Sequence, residues 1–240
     1  MQKTPKREKN KRIEKMPQNI KYILFDLDGT VTDPFEGISK SIIYAAESMG
    51  IIVDDPQALK CFIGPPLFSQ FKEFFGLNDT QAENAVKEYR KRYSEIGWKE
   101  CALTEGAERL LSDLKEKGYV LALATSKPEV FAAKILDYFG LSKYFDFVGG
   151  AQLEHTGRNE KSDIIAYVLE KLGVTDKSAV LMVGDRYHDI EGARANGIKS
   201  LAVLCGYGSV EEFKEHGADH IAENMEEAGN IIAKCDNLVL

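Results

Sequence analysis

The sequence predicts an α/β protein in which an all-helical segment is inserted into a doubly wound parallel sheet. From Lys21 onward, short apolar runs of strand length alternate with longer stretches whose apolar residues recur at helical spacing. This alternation is typical of parallel strands joined by crossover helices. Between about Phe35 and Cys101 the alternation stops, because helical patterns follow each other there with no convincing apolar strand between them.

Each predicted element is an apolar run or a periodic stretch bounded by turn residues. The predicted strands are Tyr22–Leu27, Tyr119–Ala124, Phe145–Val148, Ala179–Val183 and Ser200–Leu204. The predicted helices of the sheet region are Glu105–Lys117, Glu129–Tyr138, Ser162–Leu172 and Asp189–Asn196, and those of the insertion are Ser39–Met49 and Gln81–Ile96. Glycines such as Gly118 and Gly173 follow these helices, as expected where a C-terminus favours positive φ.

These patterns divide the chain into three parts. Residues 1–19 form a basic tail that we expect to be disordered, since Lys and Arg dominate it. Residues 20–34 and 102–240 form the core domain, and residues 35–101 form a helical cap domain. The insertion leaves after the first strand and returns before the second. We therefore expect it to lie over the carboxyl ends of the strands, where open α/β sheets bind their ligands.

The composition excludes several classes of partner. A net charge of -7 argues against a nucleic-acid surface. The chain lacks an apolar stretch long enough to span a membrane or to act as a secretion signal, so we expect a cytoplasmic protein that is a monomer or a weak homodimer. Its cysteines have no metal-site or disulfide spacing, and we expect them to be reduced, mostly packing residues: Cys61, Cys101, Cys205 and Cys235.

The first candidate for chemistry is the segment Asp26-Leu27-Asp28-Gly29-Thr30, which ends the first predicted strand. Side chains two apart on a strand face the same side. Two carboxylates at one site repel each other unless a cation or a proton intervenes. A bound Mg²⁺ would serve, because it prefers a few carboxylate oxygens together with water and substrate phosphate. A plain Asp-Gly turn would account for only one of these acids.

Three later segments carry further candidates. Ser126 and Lys127 follow an apolar strand, and Lys161 precedes a helix. Asp185 ends another buried strand, and Asp189 enters the helix that follows it. Each has an ordinary structural explanation when it is taken alone. Serine at a helix start is commonly an N-cap, and an acid in the first turn is favoured by the helix dipole. Asp185, at a buried strand end, has the weakest explanation of this kind.

Taken in order, these four segments resemble the motifs of the haloacid dehalogenase superfamily, which has a Rossmann-like core. The resemblance extends from Tyr22 to about Ile221. It implies that Asp26 is a nucleophile that forms an aspartyl phosphate. It implies that Asp28 is a general acid and base that also offers its backbone carbonyl to the metal.

The same resemblance assigns the remaining site residues. Ser126, the backbone amide of Lys127, and Lys161 would bind the transferring phosphoryl group, with Asp185 and Asp189 holding Mg²⁺ beside Asp26 and Asp28. Gly29 and Thr30 of the first motif are expected at the substrate.

Within the superfamily, the inserted segment resembles proteins described as phosphoglycolate phosphatase-like or 5'-nucleotidase-like. The cap turn at Gly64 and Pro65 either faces the substrate's leaving group or is a plain turn between helices, and both interpretations stay open. We expect the cap to move about hinges at Thr32–Glu36 and Glu100–Glu105.

The predicted function is a Mg²⁺-dependent phosphatase that acts on a small phosphorylated metabolite. The alternatives are a hexose-phosphate mutase of the β-phosphoglucomutase kind and a non-catalytic interaction module. A mutase is disfavoured because the insertion shows no convincing match to the mutase cap motif. A haloacid dehalogenase is disfavoured because its reaction does not require the acids at Asp28 and Asp185.

Overall fold

The computed structural model of the protein describes residues 20–153 and 157–235. The predicted basic tail, residues 1–19, lies outside the described residues. The strands are β1 Tyr22–Phe25, β2 Thr32–Asp33, β3 Ala102–Leu103, β4 Val120–Pro128, β5 Phe147–Ala151, β6 Val180–Gly184, β7 Lys199–Val203 and β8 His220–Ala222. Six of them form one sheet in the order β5-β4-β1-β6-β7-β8, with every neighbouring pair parallel. The predicted parallel sheet is confirmed.

Helices cover both faces of this sheet and form the insertion. They are α1 Phe35–Ser48, α2 Leu67–Phe75, α3 Asp79–Glu95, α4 Ala107–Glu116, α5 Glu129–Tyr138, α6 Lys161–Lys171, α7 Tyr187–Asn196, α8 Val210–Glu215 and α9 Met225–Cys235. Among the described helices, none is both long enough and apolar enough to cross a bilayer.

The sheet is buried on both faces because alternate strand residues enter different apolar clusters. On β1, Ile23 and Phe25 pack in a cluster with residues of α4, α5 and α9. Leu24, between them, packs in a second cluster with residues of α6 and α7. Helices therefore lie on both sides of the sheet, which is the doubly wound arrangement.

The inserted residues form a third apolar cluster from α1, α2, α3 and the 3-10 helix Pro56–Phe62, which Phe131 of α5 joins from the sheet region. Helix α3 begins with a capping box, in which the side chains of Asn78 and Gln81 each accept a hydrogen bond from the other's backbone amide at 3.0 Å. The insertion is joined to the sheet region where β2 pairs with β3 in antiparallel register. The two predicted hinge segments are thus paired with each other.

Several boundaries differ from the prediction. Strand β4 continues to Pro128, although its apolar run ends earlier. The elements α2, α8, α9, β2, β3 and β8 were not predicted from the sequence. The strands among them have only two or three residues each. The prediction that the cysteines mostly serve as packing residues is wrong for Cys61 and Cys205, which are exposed, whereas Cys235 is buried.

Candidate active site

The two central strands bring the first and last acidic motifs together. Asp26 directly follows β1, and Asp185 directly follows the neighbouring β6. The pairing of Phe25 with Val183 aligns the two strand ends, and the Asp26 amide donates to the Val183 carbonyl at 2.9 Å. Parallel register therefore places both carboxylates at one edge of the sheet.

Asp26, Asp185 and Asp189 form a buried acidic cluster. One carboxylate oxygen from each lies within 4.8 Å of the others, and the residues are 9%, 0% and 2% exposed. Hydrogen bonds fix Asp185, whose Oδ1 accepts from Thr30 Oγ1 at 3.2 Å and whose Oδ2 accepts from the Tyr207 amide at 2.8 Å. The three acids are therefore held close together in a site with little access to water.

Two glycines allow the chain to pass close to Asp185. A Cβ at Gly29, where φ is +82°, would lie 2.2 Å from Asp185 Oδ2, and a Cβ at Gly206 would lie 2.3 Å from it. Neither distance is possible for a side chain. The predicted substrate-binding residue Gly29 thus has a defined structural task, which is to make room for this carboxylate.

Lys161 is the cation that faces the acidic cluster. Its ammonium lies 2.9 Å from Asp26 Oδ1 and 2.8 Å from Asp189 Oδ1, and it donates to the Ala124 carbonyl at 3.1 Å. Burial alone would lower the pKa of Lys161, but the carboxylates of Asp189 and Asp26 more than reverse this, so the pKa is raised. The amine is therefore charged throughout the physiological range.

The charges of this cluster are not balanced by protein groups within it. Three carboxylates meet one ammonium. Burial, together with the charges of Asp189 and Asp26, raises the pKa of Asp185 well above its ordinary value. Burial raises the pKa of Asp189 too, although Lys161 opposes the rise. Crowded, buried carboxylates of this kind suit a hard divalent cation with oxygen ligands, so the residues fit Mg²⁺.

The Asp28 carboxylate lies outside this cluster and has a different partner. Its Oδ2 lies 2.7 Å from the ammonium of Lys127, and its buried Oδ1 accepts no hydrogen bond from the described residues. Burial raises the pKa of Asp28, and the Lys127 ammonium offsets part of the rise. Any contact of Asp28 with a metal would therefore come from its backbone carbonyl, as the resemblance implies.

Lys127 has side-chain contacts that the sequence did not predict. Its backbone amide, which the resemblance assigns to the phosphoryl group, donates to Thr125 Oγ1 at 3.2 Å. The buried ammonium instead pairs with Asp28 and donates to the hydroxyl of Tyr93 at 2.7 Å. Sequence reasoning missed Tyr93, since no motif connects a tyrosine of α3 with a lysine that follows it by 34 positions.

A cavity of about 430 Å³ joins these groups to the insertion. The residues from the sheet region include Asp26, Asp28, Ser126, Lys127, Phe131, Lys161, His188 and Asp189, and those from the insertion include Ile38, Phe62, Gly64, Pro65, Val86, Tyr89, Arg90 and Tyr93. Most of the predicted site residues therefore share one cavity wall. The predicted turn at Gly64 and Pro65 is part of it.

Three predicted residues lie behind this wall. Asp185 is fully buried, and so is Thr30, which donates to it. Gly29 lines a neighbouring cavity of about 570 Å³ together with Gly206 and Tyr207. The structure therefore places Thr30 beside the acidic cluster, where it supports a carboxylate, and does not place it in the cavity wall.

Arg186 and His188 lie at the cavity, although the sequence motifs assign no role to them. Arg186 Nη1 donates to the Ile63 carbonyl of the insertion at 3.0 Å, and its Nε pairs with Glu212 at 3.1 Å. His188 lines the cavity, and burial lowers its pKa, with Arg186 and Lys161 adding to the effect. The imidazole is therefore neutral at physiological pH.

Residues 23–203 match the family model described as haloacid dehalogenase-like hydrolase. The chain belongs to this family. It is 39% identical over 203 residues to a 5'-nucleotidase of Pseudomonas aeruginosa, covering 85% of this chain and 91% of the relative. It is also 39% identical over 189 residues to the tyrosine-protein kinase PtkA of Mycobacterium tuberculosis, covering 79% of this chain and 64% of that protein.

A solved structure shares the fold. The crystal structure of a predicted phosphatase from Clostridium acetobutylicum is 39% identical and superposes with a TM-score of 0.85, covering 90% of this chain and 100% of the other. With the family match and the nucleotidase relative, this makes the chain a phosphatase of the haloacid dehalogenase type that acts on phosphoesters.

Proposed function

We propose that the protein is a Mg²⁺-dependent phosphatase that hydrolyses a small phosphomonoester through an aspartyl phosphate on Asp26. One observation carries the proposal: Asp26 belongs both to the acidic cluster and to the wall of the cavity. A carboxylate in this position can face a substrate phosphorus in the cavity, while the ammonium of Lys161 compensates its charge.

The first half-reaction transfers the phosphoryl group to the protein. An Asp26 oxygen attacks phosphorus, the bond to the leaving oxygen breaks, and Asp28 gives its proton to the departing alkoxide. In the second half-reaction Asp28 takes a proton from water, which attacks phosphorus and releases phosphate from Asp26. The reaction consumes one water and returns both carboxyl groups to their starting state.

The other residues position and neutralise charge, which is most of what phosphoryl transfer requires. Lys161 lies against Asp26 and compensates the negative charge of the nucleophile and the incoming phosphate. Ser126 lines the same cavity as Asp28 and would offer a hydroxyl donor to a phosphoryl oxygen. Mg²⁺, held by Asp26, Asp185, Asp189 and the Asp28 carbonyl, would neutralise phosphoryl oxygens and orient them for in-line attack.

We propose residues 35–101 as the cap domain that selects the leaving group, with residues 20–34 and 102–240 as the core domain. The insertion supplies an apolar and aromatic part of the cavity wall, in which Gly64 and Pro65 would touch the leaving group. The cavity volume is in the range of small-molecule sites. The 5'-nucleotidase relative supports a nucleoside monophosphate as the first substrate to test, with phosphoglycolate as the second.

The test is release of phosphate from a panel of sugar phosphates, phosphoglycolate, nucleoside monophosphates and pyrophosphate, with Mg²⁺ and with EDTA. Asp26→Asn should abolish release, and the wild-type protein quenched in acid should carry a hydroxylamine-sensitive phosphoryl group that the variant lacks. Asp54→Asn, at an exposed position, is the matched control and should retain activity. Equal activity of Asp26→Asn and wild type would refute the mechanism, and isomerised sugar phosphate without released phosphate would indicate a mutase.

A further inference from the structure

The ammonium of Lys127 joins the insertion to the proposed acid and base. It lies 2.7 Å from Asp28 Oδ2 and donates to the Tyr93 hydroxyl, also at 2.7 Å. Asp28 and Lys127 belong to the sheet region, whereas Tyr93 lies on α3 of the insertion. A three-residue chain of polar contacts therefore crosses the cavity wall from the insertion to Asp28.

The position of Tyr93 is closely determined by packing. Its ring stacks on Tyr89 with centroids 5.3 Å apart and planes 12° from parallel, and it meets Phe131 edge-on at 5.3 Å. Only 5% of Tyr93 is exposed. Aromatic contacts of this kind restrict the ring to one orientation, so the hydroxyl is held in place for Lys127.

Lys127 depends on these two partners. Its side chain is 5% exposed, and a buried ammonium requires acceptors for its protons. Tyr93 and Asp28 supply two of them. Without the tyrosine hydroxyl, one N–H of Lys127 would lose its acceptor. The ammonium would then move toward water or toward another oxygen.

We propose that Tyr93 is a positioning residue, which acts through Lys127 to hold the Asp28 carboxyl in place for protonating the leaving group. This inference rests on the proposed role of Asp28. It makes transfer of that proton dependent on the packing of α3 against the sheet region. The Asp26 carboxylate itself is not part of this chain of contacts, because its ammonium partner is Lys161.

Leaving groups of different basicity separate this role from a structural one. An alkyl phosphate needs a proton on its departing oxygen, whereas p-nitrophenyl phosphate expels a stable anion and needs little help. Tyr93→Phe retains the ring and removes only the hydroxyl. We compare kcat/KM, which covers only the steps up to release of the leaving group and so excludes the later attack of water on the aspartyl phosphate. We expect kcat/KM to fall about tenfold or more for an alkyl phosphate and less than about threefold for p-nitrophenyl phosphate.

Two further variants complete the test. Lys127→Met should cause the same selective loss, and adding Tyr93→Phe to it should have little further effect, since the tyrosine acts through the lysine. Tyr144→Phe is the control and should leave both rates unchanged, because it removes a tyrosine hydroxyl bonded to Glu108 and neither residue lines the cavity. If Tyr93→Phe fails to fold, the selectivity of Lys127→Met decides alone.

The inference is overturned if Tyr93→Phe lowers both rates equally, if it changes neither rate, or if the two substitutions are additive. These outcomes leave the proposed function intact, because that function is tested by Asp26→Asn. Loss of the nucleophile in Asp26→Asn would instead abolish phosphate release from both substrates.

Discussion

Replacing Lys161 with methionine should destabilise the metal-free protein strongly. The substitution keeps most of the side chain's volume and removes an ammonium that lies 2.9 Å from Asp26 and 2.8 Å from Asp189. Removing one partner of a buried ion pair costs about 3–5 kcal/mol, because it leaves an uncompensated charge. Two carboxylates lose their partner here, so we expect a loss at the upper end, near about 5 kcal/mol.

The assay is urea unfolding followed by far-UV circular dichroism, in EDTA and at about pH 8, where protonation does least to relieve the unpaired carboxylates. Lys72→Met is the matched control, because Lys72 pairs with Asp79 at 2.6 Å but is 40% exposed. Exposed pairs contribute about 0–1 kcal/mol. Equal losses for the two variants would refute the electrostatic account of the site. Saturating Mg²⁺ should reduce the loss for Lys161→Met and leave the control unchanged.

Three further outcomes follow from the same geometry. Mg²⁺ at about 100 times its Kd should stabilise the wild-type protein by about 2.7 kcal/mol, measured by urea unfolding, and Asp185→Asn should remove most of this gain. Gly206→Ala should weaken Mg²⁺ binding in calorimetry, because its Cβ would lie 2.3 Å from Asp185 Oδ2. Ellman's reagent should modify exposed Cys61 in the folded protein and buried Cys235 only after unfolding, which Cys61→Ser and Cys235→Ser can assign.

The main strands of the sheet could be predicted because their burial is visible in the sequence as apolar residues. Strands covered on both faces are continuous apolar runs, as in β1 and β6, and the acids that end them stand out for that reason. Placing Asp26 beside Asp185 then required only the rule that parallel strands share a carboxyl edge.

What the sequence did not predict depends on contacts between distant residues. Nothing local marks Lys127 as the partner of Tyr93 and Asp28, since lysine after a serine is ordinary. Asp189 could equally have been an exposed acid of a helix's first turn, and only its packing against Lys161 shows otherwise. The short strand β8 and helix α8 carry too few apolar residues for periodicity to identify them.

The paired strands β2 and β3 limit how the inserted helices can be displaced. Both chain crossings run through this small ladder, in which Thr32 faces Leu103 and Asp33 faces Ala102. Rotation of the inserted helices must bend both connecting segments together. Sliding of the helices along the sheet region would instead break the pairing of β2 with β3. We therefore expect the helices to rotate about the ladder as one body, and substitutions that change its stiffness to alter the rate of that rotation without touching any group in the cavity.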